Sequence, residues 1–345
     1  MTNKSGEKPR IGITIGDLNG IGPEVIIKAL SDNRILNILT PVIYGSSRVL
    51  SYYKKALNNE DFNYTHAKGP GQYHPKNVNV INCWEDVIEI QPGQPSATSG
   101  KAAVSAIHKA VEDINAGLLD AIVTGPIDKH TTQSPDFPYR GHTAYFTKTF
   151  NATESLMMMV SENLRVGLVT DHVALKDVTK LISQERVELK IRLMEFSLKK
   201  DFGIQKPKIA VLGLNPHAGE EGLLGDEEQN ILEPVISNLK TKGKLIFGPF
   251  ASDGFFGSGE YQHYDGVIAM YHDQGLVPFK TLSFGTGVNY TAGLTVVRTS
   301  PDHGTGFDIA GKNLASPDSL RNAIFTGIEI VNNRETYKEM SANPV

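Results

Sequence analysis

The sequence is poor in features that announce a function at once. A single cysteine, Cys83, stands among 345 residues, which excludes any internal disulfide. No apolar stretch escapes interruption by Gly, Asp or Lys for anything near the roughly 20 residues that a bilayer span needs. Charge of one sign is also missing. Lys and Arg number 34 against 38 Asp and Glu, giving a formal net charge of −4 with no basic stripe, which argues against nucleic acid as the main ligand. An anionic substrate would need a local pocket. The segment Met1 to Arg10 is polar and has no apolar core of a secretory leader, so the cytoplasm is the expected compartment. Internal repeats and low-complexity tracts are absent as well.

What remains is a chain long enough for two domains of ordinary size. Apolar, β-branched runs alternate with stretches of helical period, beginning at Ile11 to Ile15 and Pro23 to Leu30. Further strands are expected at Pro41 to Tyr44, Val78 to Asn82, Ala121 to Thr124, Leu156 to Val160, Val166 to Thr170, Ile209 to Leu214 and Gly266 to Met270. Helices are expected at Lys101 to Ala116, Gln184 to Lys199, Glu227 to Leu239 and Pro317 to Asn332, with loops at His66 to Lys76 and Gln91 to Gly100. This rhythm predicts an α/β fold with largely parallel sheets.

Such folds gather ligands beyond the carboxyl ends of their strands, and three histidines follow strands: His172, His217 and His272. Neutral imidazoles suit zinc, cobalt, iron or nickel, and three of them leave positions open for substrate. The separations, 45 and 55 residues, match no compact zinc motif, so three hydrogen-bonded loop histidines is the competing reading. Asp171, Glu220 and Asp273 stand beside them, either as ring-orienting acceptors or as solvated loop carboxylates. The loop Gly16 to Glu24 permits a tight turn, with Pro23 suited to a first helical position. It has neither the dinucleotide fingerprint nor a P-loop lysine. His142 and Thr143 follow Arg140-Gly141 at an expected helix N-terminus, a setting that favours phosphate. Lys280, Asn289 and Arg298 offer two cations and an amide around a Gly-rich stretch.

Taken in order, Gly16 to Glu24, Thr124-Gly125-Pro126, Gly141-His142-Thr143, Leu214 to Glu220, Tyr271 to Gly275 and Asp302 to Thr305 resemble the 4-hydroxythreonine-4-phosphate dehydrogenase family of pyridoxal 5'-phosphate biosynthesis. The likeness spans nearly the whole chain. It implies a two-domain fold like that of the isocitrate and isopropylmalate dehydrogenases, with the active site in the interdomain cleft. Residues 1–135 with 300–345 would form the first domain, and 136–299 the second, carrying the metal site and dimer interface. His172, His217 and His272 would bind one divalent ion (zinc, cobalt or magnesium), with ligands shared between the subunits of a homodimer. His142, Thr143, Lys280, Asn289 and Arg298 would contact a small phosphorylated substrate, and Asp253 or Lys280 would serve as general base.

The segment His303 to Lys312 is similar to the adenosine-binding loop of those dehydrogenases, so NAD is expected at His303, Gly304, Thr305 and Asp308. Asp308 would accept hydrogen bonds from ribose hydroxyls and repel a 2'-phosphate; its rival role is to begin a helix. Two positions depart from the family pattern: Leu18 where proline is frequent, and Ala144 where glutamate is common. Rival functions are a sister dehydrogenase of phosphothreonate, phosphoerythronate or a cis-dihydrodiol carboxylate, an acyl-phosphate transferase of the same topology, and a binding protein that kept the pocket.

Overall fold

The computed structural model describes residues 7–342, so Met1 to Gly6 of the polar leading segment lie outside the described residues. Internal contacts divide the chain into two compact units. The first runs to Ala152 and takes up the chain again over Leu294–Asn332; the second comprises Thr153–Gly293 and the chain from Asn333 on.

In chain order the first unit holds β1 (Arg10–Thr14), α1 (Gly22–Leu30), β2 (Thr40–Gly45), α2 (Ser47–Ala56), β3 (Tyr64–His66), β4 (Val78–Asn82), α3 (Ala97–Asn115), β5 (Ala121–Thr124) and α4 (His142–Thr149). The second holds β6 (Leu156–Val160), β7 (Arg165–Leu168), α5 (Leu175–Leu181), α6 (Gln184–Lys200), β8 (Ile209–Leu212), α7 (Glu233–Thr241), β9 (Ile246–Phe250), α8 (Ser252–Gly257), β10 (Gly266–Ala269), α9 (His272–Leu282) and β11 (Val288–Ala292). The chain then supplies β12 (Val297–Pro301) to the first unit, and α10 (Asp318–Ala342) ends it.

The strands of the first unit run β3-β4-β2-β1-β5-β12, and every pairing is parallel. Thr14 lies opposite both Tyr44 and Thr124, so the loops after β1, β2 and β5 leave one edge together. Ile11, Ile13, Val42, Ile43, Ile122 and Val123 are fully buried, as expected of parallel strands covered on both faces. In the second unit the order is β11-β6-β7-β10-β8-β9; β6 is antiparallel to both neighbours and the remaining pairs are parallel. The expected class, α/β with mostly parallel sheets, is what the strands show. Val166, Leu168, Ala210, Leu212, Val267 and Ala269 pack there with Phe255, Leu276 and Phe279.

Several boundaries differ from the sequence reading for identifiable reasons. Helix α3 starts at Ala97, inside the expected loop, because Ser96 and Ser99 form a reciprocal capping box. The expected helix from Glu227 opens instead as a π-helical turn, Glu228–Leu232, before α7 begins at Glu233. The last helix reaches Ala342. A buried ion pair accounts for part of that extension: Arg334 Nε donates to Asp201 Oδ1 at 2.7 Å, while Tyr290 and Ser197 hydroxyls each donate to Oδ2 at 2.6 Å. Removing either charge alone would cost about 3–5 kcal/mol. The chain changes unit after Ala152, Gly293 and Asn332, where the sequence reading has 135/136 and 299/300 and keeps 300–345 in the first domain. Within the first unit α4 packs through Phe146 beside Arg298, and β12 pairs with β5. Among the described residues, no helix is long and apolar enough to cross a membrane.

Candidate active site

In the first unit, the loop after β1 is locked by its own polar groups. Asp17, fully buried, accepts from Asn19 N–H at 2.9 Å and from the Ser99 hydroxyl, in the first turn of α3, at 3.0 Å. Burial pushes its carboxyl upward, and those two hydrogen bonds pull the other way. Asn19 clasps a second loop: its Nδ2 donates to Gln94 O at 2.8 Å, its Oδ1 accepts from Gln91 N–H at 2.8 Å, and its carbonyl accepts from Gly93 N–H at 2.8 Å. Ile21 N–H reaches a third segment by donating to Thr305 O at 2.8 Å.

Glycine is required where these loops close. A Cβ on Gly20 would stand 2.7 Å from Thr305 O, and one on Gly93, at φ +86°, would stand 2.9 Å from Phe307 O. Three segments singled out or passed over in the sequence, 16–24, 91–94 and 303–312, are therefore one platform. Glu24 braces it from α1, its Oε1 accepting from Lys28 Nζ at 2.8 Å and from Ala315 N–H at 3.0 Å. On the platform, His303 Nδ1 lies 3.0 Å from Gly304 O, and Asp308 is exposed, its backbone carbonyl accepting from Lys312 Nζ at 2.7 Å. Asp308 sits in a series of turns and begins no helix.

A second constellation in this unit surrounds Arg298. Strand β12 buries it to 2 % exposure, and its Nη2 and Nε donate to Thr124 Oγ1 at 2.6 and 3.2 Å, at the end of β5. Its guanidinium lies 5.8 Å from the Phe146 ring centroid. Burial draws the guanidinium pKa down to about 9, which still leaves it charged at neutral pH. His142 opens α4, as expected, with Thr143 next to it. Its Nε2 is buried without a hydrogen-bond partner. Burial first, then the Arg298 and Lys129 charges, hold its pKa well below the ordinary histidine range, so the ring is neutral. A buried cation, an unsatisfied imidazole nitrogen and a helix N-terminus are the parts of an anion site.

In the second unit the histidines follow three adjacent parallel strands, β7, β10 and β8. The rings of His172 and His272 are 5.8 Å apart, a spacing at which two imidazoles can face one small ion. Asp273 Oδ1 lies 2.7 Å from His272 Nδ1, which leaves Nε2 directed elsewhere. Asp171 Oδ1 accepts from His172 N–H at 2.6 Å. His217 does not join the pair in this chain: among the described residues, no group of three His, Cys, Asp or Glu side chains converges to hold a metal.

Its loop is unusual. Residues His217, Ala218, Gly219, Glu220 and Glu221 all have left-handed backbone, with φ between 44° and 82°, which costs roughly 1–2 kcal/mol for each residue with a Cβ. Two side chains hold the loop's base. Gln274 donates to Gly213 O and to the Ser252 hydroxyl (2.7 Å) while accepting from Met270 N–H at 2.6 Å. Glu228, 1 % exposed, accepts from the backbone of Leu214 and Asn215.

Other expected residues are more dispersed. Asp253 is exposed on α8, next to Ser252. Lys280 lies on α9 eight positions after His272, about 12 Å along the axis. Asn289, on β11 opposite Met159, has a buried Oδ1 without a hydrogen-bond partner. Asn19, Glu228 and Gln274 were not singled out from the sequence. Glu228 belongs to the acidic run Asp226-Glu227-Glu228 before an apolar helix, which was the one available signal.

Comparison with known proteins gives the family. A family model described as pyridoxal phosphate biosynthetic protein PdxA matches residues 37–327. The chain is 48% identical over 340 residues to a 4-hydroxythreonine-4-phosphate dehydrogenase of Bacteroides thetaiotaomicron, covering 98% of this chain and 93% of that one. The crystal structure of the Klebsiella pneumoniae 4-hydroxythreonine-4-phosphate dehydrogenase is similar at TM-score 0.82 and 34% identity, over 94% of this chain and 98% of that one. A terephthalate 1,2-cis-dihydrodiol dehydrogenase of Burkholderia xenovorans follows at TM-score 0.62 and 26% identity, over 93% and 98%.

Proposed function

Because the chain belongs to the family of the pyridoxal phosphate biosynthetic protein PdxA, we propose that it is an NAD- and divalent-metal-dependent dehydrogenase of 4-phosphooxy-L-threonine. Oxidation at C3 gives 2-amino-3-oxo-4-phosphooxybutanoate, a β-keto acid that loses CO2 to form 3-amino-2-oxopropyl phosphate. The observation that carries the substrate class is the buried Arg298 beside the neutral His142 at the head of α4. That corner suits a phosphate or carboxylate, with the Thr143 hydroxyl as a further donor. Lys280 and Asn289 are the other two candidate contacts for such a substrate.

The residues fit a divalent ion in kind: His172 and His272 are paired, and the Asp273 carboxylate fixes the tautomer of the second ring. His217 is assigned as the third ligand, from the same chain or from a second copy. A homodimer sharing the site is favoured by exposed apolar residues on each histidine-bearing segment, Leu175 at 71%, Leu223 at 78% and Val277 at 60% exposure. When bound, the ion would supply Lewis-acid polarisation of the C3 hydroxyl and nicotinamide the hydride acceptor. The hydroxyl proton falls to Asp253 in preference to Lys280, because Ser252 is tied through Gln274 to the first turn of α9, where His272 stands. The platform of 16–24, 91–94 and 303–312 fits NAD, since a Cβ on Gly304 would meet nothing within 4 Å, leaving the backbone open to a ligand there, and Asp308 is exposed for ribose hydroxyls. The single cysteine, which can form no internal disulfide, favours a reducing compartment such as the cytoplasm.

The test is NADH formation by the purified protein with added Zn2+, Co2+ or Mg2+, across 4-phosphooxy-L-threonine, phosphothreonate, phosphoerythronate and terephthalate dihydrodiol. Metal-dependent turnover with preference for the amino acid is expected. Preference for a non-amino acid would hand the chain to the sister-dehydrogenase reading, which the Burkholderia xenovorans likeness keeps in view. In the same assay Asp308→Asn should narrow the preference for NAD over NADP severalfold; an unchanged ratio removes Asp308 from the cofactor site.

A further inference from the structure

We propose that Glu228 is a positioning residue that holds the left-handed turn presenting His217. This rests on the assignment of His217 as a metal ligand. Glu228 is buried to 1 % exposure, and its side-chain oxygens face the loop: Oε1 accepts from Leu214 N–H at 2.7 Å and Asn215 N–H at 2.8 Å, and Oε2 accepts from Asn215 Nδ2 at 2.9 Å. Glu227 Oε2 takes the other Asn215 amide proton at 2.7 Å.

A carboxylate is an expensive filler for an interior position, where an apolar side chain of similar volume serves stability as well or better. Its value here is directional. Three donors from two consecutive residues fix the chain just before a turn in which four residues with a Cβ, His217, Ala218, Glu220 and Glu221, take left-handed backbone. The turn closes over Glu228 itself, since a Cβ on Gly219, at φ +82°, would stand 2.6 Å from Glu228 Oε2. Without that anchor the segment relaxes toward right-handed or extended backbone, and the imidazole leaves its place.

The experiment is metal affinity by chelator competition with Zn2+ or Co2+ on the full-length protein, alongside circular dichroism, melting temperature and steady-state kinetics. Glu228→Ala should weaken metal binding about 10- to 100-fold, with kcat largely recovered at high metal. Glu228→Gln, which can still accept the two backbone N–H groups, should fall between wild type and Glu228→Ala. If Glu228→Ala does not fold, Gly219→Ala crowds the same carboxylate and should weaken metal binding in the same direction. Ser197→Ala, which trims the Asp201 network elsewhere in the unit, should lower the melting temperature and leave metal affinity unchanged. Metal affinity within twofold of wild type in a folded Glu228→Ala or Gly219→Ala protein would overturn the positioning role, whatever the melting temperature. His217→Ala separates the two levels. If that variant binds metal like wild type, the ligand assignment fails; if it loses metal while the Glu228 variants keep it, only the positioning role fails.

Discussion

The two units bring their strand-end loops to order in opposite ways. In the first, three loops clasp one another through the side chain and carbonyl of Asn19 and the Ile21–Thr305 backbone bond, with close-approach glycines taking the positive φ. In the second, the histidine loops are exposed, one of them is left-handed over five residues, and single side chains, Gln274 and Glu228, hold their base. The first arrangement is finished in the free protein. The second carries backbone strain, which persists only where surrounding contacts over-determine it and recurs at functional sites.

The comparison can be broken most severely at Arg298. Arg298→Ala removes a buried cation from a preformed corner and should cost about 3 kcal/mol, or roughly 100-fold in kcat/KM, with metal affinity unchanged; a loss below tenfold would remove the anion role. Asn19→Ala should open the clasp, orphaning Gln91 N–H and Gln94 O and lowering stability by about 1–3 kcal/mol. NAD affinity, measured by fluorescence titration of the cofactor, should weaken about tenfold while metal affinity stays constant. The second unit should respond in the other direction. Glu221→Gly relieves a left-handed residue at φ 55° and should raise stability by about 1 kcal/mol in chemical denaturation; a lower stability would mean that the Glu221 side chain outweighs the strain.

A smaller effect concerns pH. His142 stays neutral in the folded protein well below the range in which it titrates in the unfolded chain, near 6.5. As pH falls through that value the unfolded state takes up a proton that the folded state refuses, so stability is full above it and declines below. His108, depressed by burial as well, adds to the slope. Melting temperatures between about pH 7.5 and about pH 5.5 should therefore fall, and less so in His142→Asn. Equal slopes would place the effect elsewhere.

Alternation of apolar runs with helical stretches was enough to read the α/β class, and the rule that ligands gather past strand ends was enough to single out His172, His217 and His272. That their strands are adjacent comes from the sheet order alone. What the residues did not disclose is that two rings approach and the third stands apart, because loop backbone, not strand order, decides that. Strand β3 is too short to show a period, and β9 carries Gly248-Pro249 inside it. The start of α3 was hidden in a segment of Ser, Thr and Ala that reads as loop until the reciprocal Ser96 and Ser99 bonds are seen. Asn19 and Glu228 were illegible for a common reason: each acts on backbone groups far along the chain or across a turn, and no local pattern records that.

The platform has a consequence for how the chain is made. Ile21 finds its partner at Thr305, and β5 gains β12 as a neighbour, only after Thr153–Gly293 has been synthesised. On the ribosome, β5 therefore waits with an unpaired edge while the second unit emerges, and the platform is assembled only afterwards. A chain ending before Leu294 would carry Asp17, Asn19 and Gly20 intact in sequence, yet have nothing to close them against.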